Sequence, residues 1–450
     1  MCLPALPCRA CRGYGRCQPS TNKAFHFMSS HTPVSSAAFP DRLVQLGLGS
    51  SGNEESLDSE VQDGQGHGMK DLATASSGLG KLGPRLTVVI PVRNGGLDFD
   101  RCLRGLRASE FTDYELIVID DGSTDDTAAR AVRFGARVVR HEKPQGPAAS
   151  RNHGAQIATS DIIFFVDGDV VLHPDTLSQV VERFQANPEL AALFGSYDAD
   201  PAVPGLVSQF RNLMHHFVHH QGTFVDEARP AHTFWTGIGA IRRHIFFEVG
   251  GFDPRLYRRP AIEDIEMGYR LTRAGHRIEL VRSIQGTHLK TWGLGLMVKT
   301  DIFHRGVPWM LLLMRSHRQE NDLNVNPGQK LCVAATGLAW FAALLSPWIL
   351  ALSALILVGV TGLIAVLNLP FYRFLNQRRG PWFATSCLPL HLVYYSCCGI
   401  SVVIALALKI LLTQQPEQPR ANIEWRPVDL PGFPSPRMHL KQGESRWKTL

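Results

Sequence analysis

The 450-residue chain lacks a strong charge of either sign: 46 Lys and Arg against 40 Asp and Glu leave a formal net charge of +6. So small and scattered an excess argues against a nucleic-acid partner. Residues 1–83 lack both a sustained apolar period and an apolar run long enough for a secretory signal, since Leu3 to Leu6 is too short. They are rich in Ser, Gly, Pro and Asp, and a disordered leader is expected there. Cysteine is sparse. Cys2, Cys8, Cys11 and Cys17 gather in the leader, but "CRACRGYGRC" is followed by no closing Cys/His pair at zinc spacing, so free thiols are the simpler reading. The other five cysteines are scattered, which fits a reducing compartment and excludes a disulfide scaffold.

Another absence is local. From Leu331 to Leu369 the chain has no Asp, Glu, Lys, Arg or His. One span needs about 20 apolar residues, so two are expected, with a break near Ser346-Pro347 or Ala351 to Ser353. "RFLNQRRG" interrupts, and Trp382 to Leu412 reads as one more long helix, giving about three spans over 331–412 and a tail over 413–450. Basic residues flank these runs: Arg315, Arg318 and Lys330 before the first, and Arg373, Arg378 and Arg379 in the next connection. Positive charge stays cytoplasmic, so a multi-pass membrane protein with its preceding domain in the cytoplasm is expected, in contact with the lipid bilayer.

Between 84 and 315, short β-rich runs alternate with helical patterns. Strands are expected at Leu86 to Ile90, Glu115 to Ile119, "ARVV" and Ile162 to Val166, with Thr124 capping a helix after the second. That alternation predicts an α/β fold, a mostly parallel sheet with helices on both faces. Ligands bind such sheets at the carboxyl ends of the strands. Asp120 and Asp121 end one strand; Asp167 and Asp169, in "VDGD", end another. Two acids around one glycine at a strand end are costly unless something positive sits there, and a divalent cation with a diphosphate fits.

The ordered motifs "VVIPVRN", "IDDGSTDDT", "GPAASRNHG" and "VDGD" resemble a family 2 glycosyltransferase of the GT-A (Rossmann-like) fold. "TGIGAIRR" is similar to the glycine loop of that fold, and "AIEDIEMGYRLTRAG" to its acidic catalytic motif. The resemblance implies a nucleotide-sugar donor, probed around Pro91, Arg93, Asp120, Asp121, Arg151, Asp167 and Gly237. It implies a magnesium or manganese cofactor held by Asp169, with Asp167 and the late His288 in support. It also implies Asp264 as the general base of an inverting transfer, with Glu263 supporting the site. Each residue has a plainer alternative. Asp121 and Ser123 can cap their turn, Arg151 can be a helix-surface charge, Glu263 and Asp264 can complement a helix dipole, and a lone histidine is commonly structural. "LMHHFVHH" spaces histidines at i, i+4, but no general-base carboxylate follows, and an amphipathic helix near the acceptor or membrane is expected instead.

No Gln-x-x-Arg-Trp occurs, so addition of a single sugar is expected rather than polymerisation. The expected enzyme transfers a sugar, UDP-linked first, to a cytoplasm-facing lipid-linked or cell-envelope glycan acceptor. A polyprenyl-phosphate glycosyltransferase and a non-catalytic carbohydrate-binding scaffold are the alternatives.

Overall fold

Nine strands form the sheet of this computed structural model, which describes residues 85–315 and 327–412. The leader with its four cysteines, Arg318 and the tail lie outside those residues. The strands are β1 (Leu86–Val92), β2 (Tyr114–Asp120), β3 (Arg137–Arg140), β4 (Ile162–Val166), β5 (Val170–Leu172), β6 (Leu190–Tyr197), β7 (Ala228–Ala231), β8 (Ile238–Arg242) and β9 (Arg277–His288). Their order is β3-β2-β1-β4-β8-β6-β9-β5, with β7 also on β9. Strands β1 to β4, β6 and β9 run one way; β5, β7 and β8 run against them. The sheet is therefore mixed, mostly parallel, and built on the expected α/β alternation.

Strand periodicity explains why both faces are covered. On β1, Leu86, Val88, Ile90 and Val92 enter one apolar core and Val89 the other; on β4, Ile162, Phe164 and Val166 oppose Ile163 and Phe165. Phe165 packs between Phe246 and Phe252 at ring distances of 5.7 and 5.6 Å. Each fully buried ring of this kind contributes on the order of 1.5–3 kcal/mol. The helix expected at Thr124 starts instead at Thr127. The Asp125 carboxylate accepts from both the backbone N–H and the hydroxyl of Thr127, which holds residues 124–126 as a turn.

Beyond the sheet, a helix Leu294–Lys299 leads into a π-helical turn Thr300–Gly306 and a helix Val307–Arg315. Helices Pro327–Leu344 and Ser346–Leu367 follow, broken at the expected Ser346-Pro347. "RFLNQRRG" belongs to a helix, Leu369–Arg379, rather than a loop. The last apolar stretch is divided into Pro381–Ser386 and Leu388–Leu412, because Pro389 cannot donate a helical hydrogen bond into the preceding turn. Two helical segments among the described residues, Leu350–Leu367 and Pro381–Leu411, are long and apolar enough to cross a membrane, one fewer than expected. Helix Pro327–Leu344 spends its first turn on Pro, Gly, Gln and Lys. Large apolar side chains lie bare on these helices, Trp348 at 78% and Val358 at 70% exposure among them.

Helix Leu369–Arg379 packs on the sheet domain. Phe371 meets Phe210, and Arg379 donates to Gln209 Oε1 at 3.0 Å, both partners lying on helix Leu206–His219.

Candidate functional site

One edge of the sheet gathers nearly every residue singled out in the sequence. The carboxyl ends of β1, β2, β4, β6 and β9 deliver Arg93, Asp120, Asp167, Tyr197 and His288, and the antiparallel β8 begins there after Gly237. Register makes the juxtaposition specific: Val166 pairs with Ile238, and Val170 with His288. The Asp167 N–H accordingly points to Gly237 O at 3.4 Å, and the Leu289 N–H to Asp169 O at 2.8 Å. A Cβ on Gly237 would stand 2.2 Å from the Trp235 ring, so that loop closes only with glycine.

Arg151 joins the two acidic motifs. It lies on helix Pro147–Ile157 and is only 4% exposed. One terminal nitrogen donates to Asp167 Oδ1 and the other to Glu263 Oε1, each at 2.8 Å. It is thus a buried bridge and not a surface charge. Glu263 Oε2 accepts the Ala261 N–H at 3.0 Å, so both of its oxygens are engaged. Opposing charges hold the guanidinium's pKa above its ordinary value despite burial.

Asp264 is placed differently. Helix Glu263–Arg273 starts at this acid pair, with its positive dipole end beneath it. Asp264 Oδ2 accepts from the Thr236 N–H and hydroxyl, both at 3.2 Å, and Oδ1 from the Ile265 N–H at 2.8 Å. Among the described residues no cation is within hydrogen-bond reach of it. Burial, then repulsion from Glu263, raises its pKa to about 6, with Arg151 pulling the other way. It lines a cavity of about 150 Å³ together with Tyr197, Trp235, His215, His288 and Arg305.

The first two strand ends are latched together. Asn94, at φ 52°, accepts the Thr124 N–H at 2.8 Å, while its own N–H reaches Ser123 Oγ at 2.9 Å. Arg93 is exposed beside this latch and Pro91 is half-buried on β1. Asp120 is fully buried. Its Oδ1 accepts the Ser123 N–H at 2.9 Å, and Arg140 Nε lies 3.4 Å from Oδ2. Asp121 is saturated by the protein itself, taking the Gln145 and Gly146 N–H groups and His141 Nδ1, all at 2.8 Å. It fixes the entry to the Arg151 helix.

Asp169 and His288 present a donor pair suited to a hard or borderline cation. His288 Nδ1 lies 2.7 Å from Asn212 Oδ1, which orients the ring so that Nε2 faces Asp169 Oδ2, 3.6 Å away. The Tyr197 ring stacks on the imidazole at 4.1 Å and holds its plane. Burial pushes the Asp169 carboxyl up, but the His288 contact and Lys290 outweigh it and hold it below the usual range. Among the described residues no three His, Cys, Asp or Glu side chains converge as a ready-made metal site. An oxygen and an imidazole nitrogen fit manganese or magnesium only if phosphate oxygens and water complete the shell.

Among the described residues no three His, Cys, Asp or Glu side chains gather on the histidine helix as a metal site. His216 and His219 Nδ1 bond the carbonyls of Tyr197 and Gly195 at 2.8 and 3.1 Å, and His220 Nδ1 bonds His216 O at 2.8 Å. Tyr197, Asn212 and Arg305 were not among the residues singled out. Tyr197 ends a strand on this edge and could have been found by that rule; no spacing signal marks the other two.

An acidic strand-end cleft on a mixed, mostly parallel sheet marks an α/β domain with its candidate site at the carboxyl ends of the strands. Residues 87–250 match the family described as Glycosyl transferase family 2, and the chain carries a domain of that family. Validoxylamine A glucosyltransferase of Streptomyces hygroscopicus subsp. jinggangensis is 28% identical over 265 residues, 51% of this chain and 62% of that protein. Pre-mycofactocin glycosyltransferase of Mycobacterium tuberculosis is 29% identical over 224 residues, 46% of this chain and 44% of that protein. The chain thus spans about half the length of these relatives. A solved structure, the mannosyltransferase PcManGT from Pyrobaculum calidifontis in complex with GDP-Man and Mn2+, is 17% identical. It covers 74% of this chain and 89% of that one at a TM-score of 0.45.

Proposed function

We propose that this protein is a membrane-anchored, metal-dependent, inverting glycosyltransferase that moves one sugar from a nucleotide sugar to an acceptor hydroxyl at the cytoplasmic membrane face. The observation carrying this reading is Arg151, which binds the Asp-Gly-Asp turn to the Glu-Asp helix start within one cleft. Asp264 takes the proton of the acceptor hydroxyl while its oxygen attacks the anomeric carbon. The bond from that carbon to the phosphate oxygen breaks, and its electron pair leaves with the nucleoside diphosphate. A carboxylate with a pKa near 6 is ionised at neutral pH yet basic enough for this work. Asp169 and His288, with Asp167 beside them, would hold a divalent cation, whose chemistry there would be to neutralise charge on the leaving diphosphate.

The domain over 84–315 is the catalytic unit, and 331–412 the anchor. Helix Leu369–Arg379 packs against the catalytic domain, which supports placing it on the same side of the bilayer as that domain. Arg373, Arg378 and Arg379 support assigning that side to the cytoplasm by the charge rule.

The test is calorimetry of UDP, GDP and dTDP on the full chain in detergent, with and without manganese, beside Asp169→Ala. Metal-dependent binding of one nucleotide, lost in the variant, supports the reading; nucleotide binding indifferent to both metal and substitution overturns it.

A further inference from the structure

A second cavity of about 490 Å³ opens beside the first, and Ala261, three residues before Asp264, lines both. That volume is in the range of ligand sites, about 300–1,000 Å³. Its walls are the loop before the acid pair and the segment leading to the apolar helices. They carry Arg258, Arg259, Lys299 and His304, with no Asp or Glu in the lining. Arg258, Arg259 and Lys299 are exposed, and none of the three has an ion pair among the described residues. The cations crowd one another. Burial first, then Lys299, Arg259, Lys290 and Arg305, lowers the His304 pKa. So concentrated a positive charge asks for an anion.

The same walls expose Phe303 and Leu256, each 59% accessible. Phe303 stands on the π-helical turn, which is fixed at both ends. Asp301 pairs with Arg211 of the sheet domain, and Gly306 abuts helix Leu388–Leu412, where an added Cβ would lie 2.1 Å from Ser401 Oγ. Cations beside bare apolar side chains, joined to a membrane-length helix, form a surface that takes phosphate and hydrocarbon together.

We propose that the groove between residues 255–261 and 299–308 binds the phosphate of a lipid-linked acceptor, with Phe303 and Leu256 against its lipid chain and its hydroxyl end reaching Asp264. This rests on the glycosyltransferase reading and adds the class of acceptor. The groove and Asp264 occupy adjoining cavities, so phosphate and nucleophilic hydroxyl are separate parts of one molecule.

The test titrates farnesyl phosphate, farnesol, inorganic phosphate and dihexanoyl-phosphatidylglycerol onto the detergent-solubilised full chain by thermophoresis. The native protein runs beside Arg258→Gln/Arg259→Gln/Lys299→Gln and the single change Phe303→Ser. Farnesyl phosphate should bind at least tenfold tighter than the other three. The triple variant should lose tenfold or more of that affinity, and Phe303→Ser several-fold, each with its thermal midpoint unchanged. Farnesol binding equally would overturn the phosphate assignment, inorganic phosphate binding equally would make the groove a free-anion site, and phosphatidylglycerol binding equally would make it a general lipid contact. Full affinity in a folded triple variant would also overturn the proposal. Manganese-dependent nucleotide binding is measured in parallel on both proteins. Its absence from the native chain sinks the transferase reading, while its presence with no lipid-phosphate preference sinks only the acceptor.

Discussion

Replacing Arg151 by Met removes the cation between Asp167 and Glu263 while keeping most of the side-chain volume. Two carboxylates then lose their shared partner, and Glu263, 4% exposed, has nowhere to find water. Removing one member of a buried pair costs about 3–5 kcal/mol, because the remaining charge is left uncompensated. For a domain of this size each kcal/mol moves the midpoint by about 2–4 °C, so a fall of roughly 6–20 °C is expected. The measurement is thermal unfolding of the full chain in detergent, followed by tryptophan fluorescence at a series of pH values.

The pH series separates lost charge pairing from lost packing. Burial already holds the Asp167 carboxyl above its usual range despite Arg151, and without that cation it rises further. A carboxyl so shifted destabilises the fold above its raised pKa, and the penalty fades as pH falls toward the unfolded value. The gap between native and variant should therefore narrow between pH 7 and pH 5. Adding Glu263→Gln to the variant should recover part of the loss, whereas the same change alone should cost stability. A midpoint within 2 °C of native, or a deficit unchanged across the pH series, would refute the bridge as an electrostatic one.

Asp264→Asn should lower turnover by about 100-fold or more while nucleotide affinity stays within twofold. In the native enzyme, initial rates should rise with pH through about 6 and flatten above it, since the base must be ionised. His288→Gln should weaken manganese-dependent nucleotide binding more than magnesium-dependent binding, because the imidazole nitrogen suits manganese; calorimetry with each ion decides. Gly268→Ala should cost about 1–3 kcal/mol, since its Cβ would lie 2.3 Å from the Phe234 backbone nitrogen, which has little room to retreat; the thermal midpoint reads it.

The first four strands were legible because each is a short run of β-branched residues that closes on a polar turn. The strand-end rule then located Asp120, Asp167 and Asp169. What could not be read was partnership across long sequence separations. Arg151 and Glu263 are 112 residues apart, and only the packing of two helices against one sheet edge brings them to 2.8 Å. The antiparallel β8 was equally hidden, since no local pattern distinguishes its direction from that of β4. Where about three spans were expected, two helical segments among the described residues are long and apolar enough to cross a membrane, because an uncharged run does not show where proline and polar first turns start each helix. Asp121 shows the reverse limit. It sits beside Asp120 in a matching motif, yet its oxygens are filled by backbone donors from a loop some 25 residues on.

The division of labour between Glu263 and Asp264 follows from helix geometry. Adjacent residues on a helix point about 100° apart at 3.6 residues per turn, so two neighbouring acids cannot face the same partner. Glu263 turns inward to Arg151 and has both oxygens occupied. Asp264 turns to the cavity, receives only neutral donors, and carries the electrostatic load of its neighbour. The guanidinium makes a second ionised acid beside Glu263 tolerable, but its own hydrogen bonds go to Asp167 and Glu263. One arginine therefore supplies a fixed acid, a fixed strand-end turn and, by withholding direct contact, a carboxylate basic enough to take a proton.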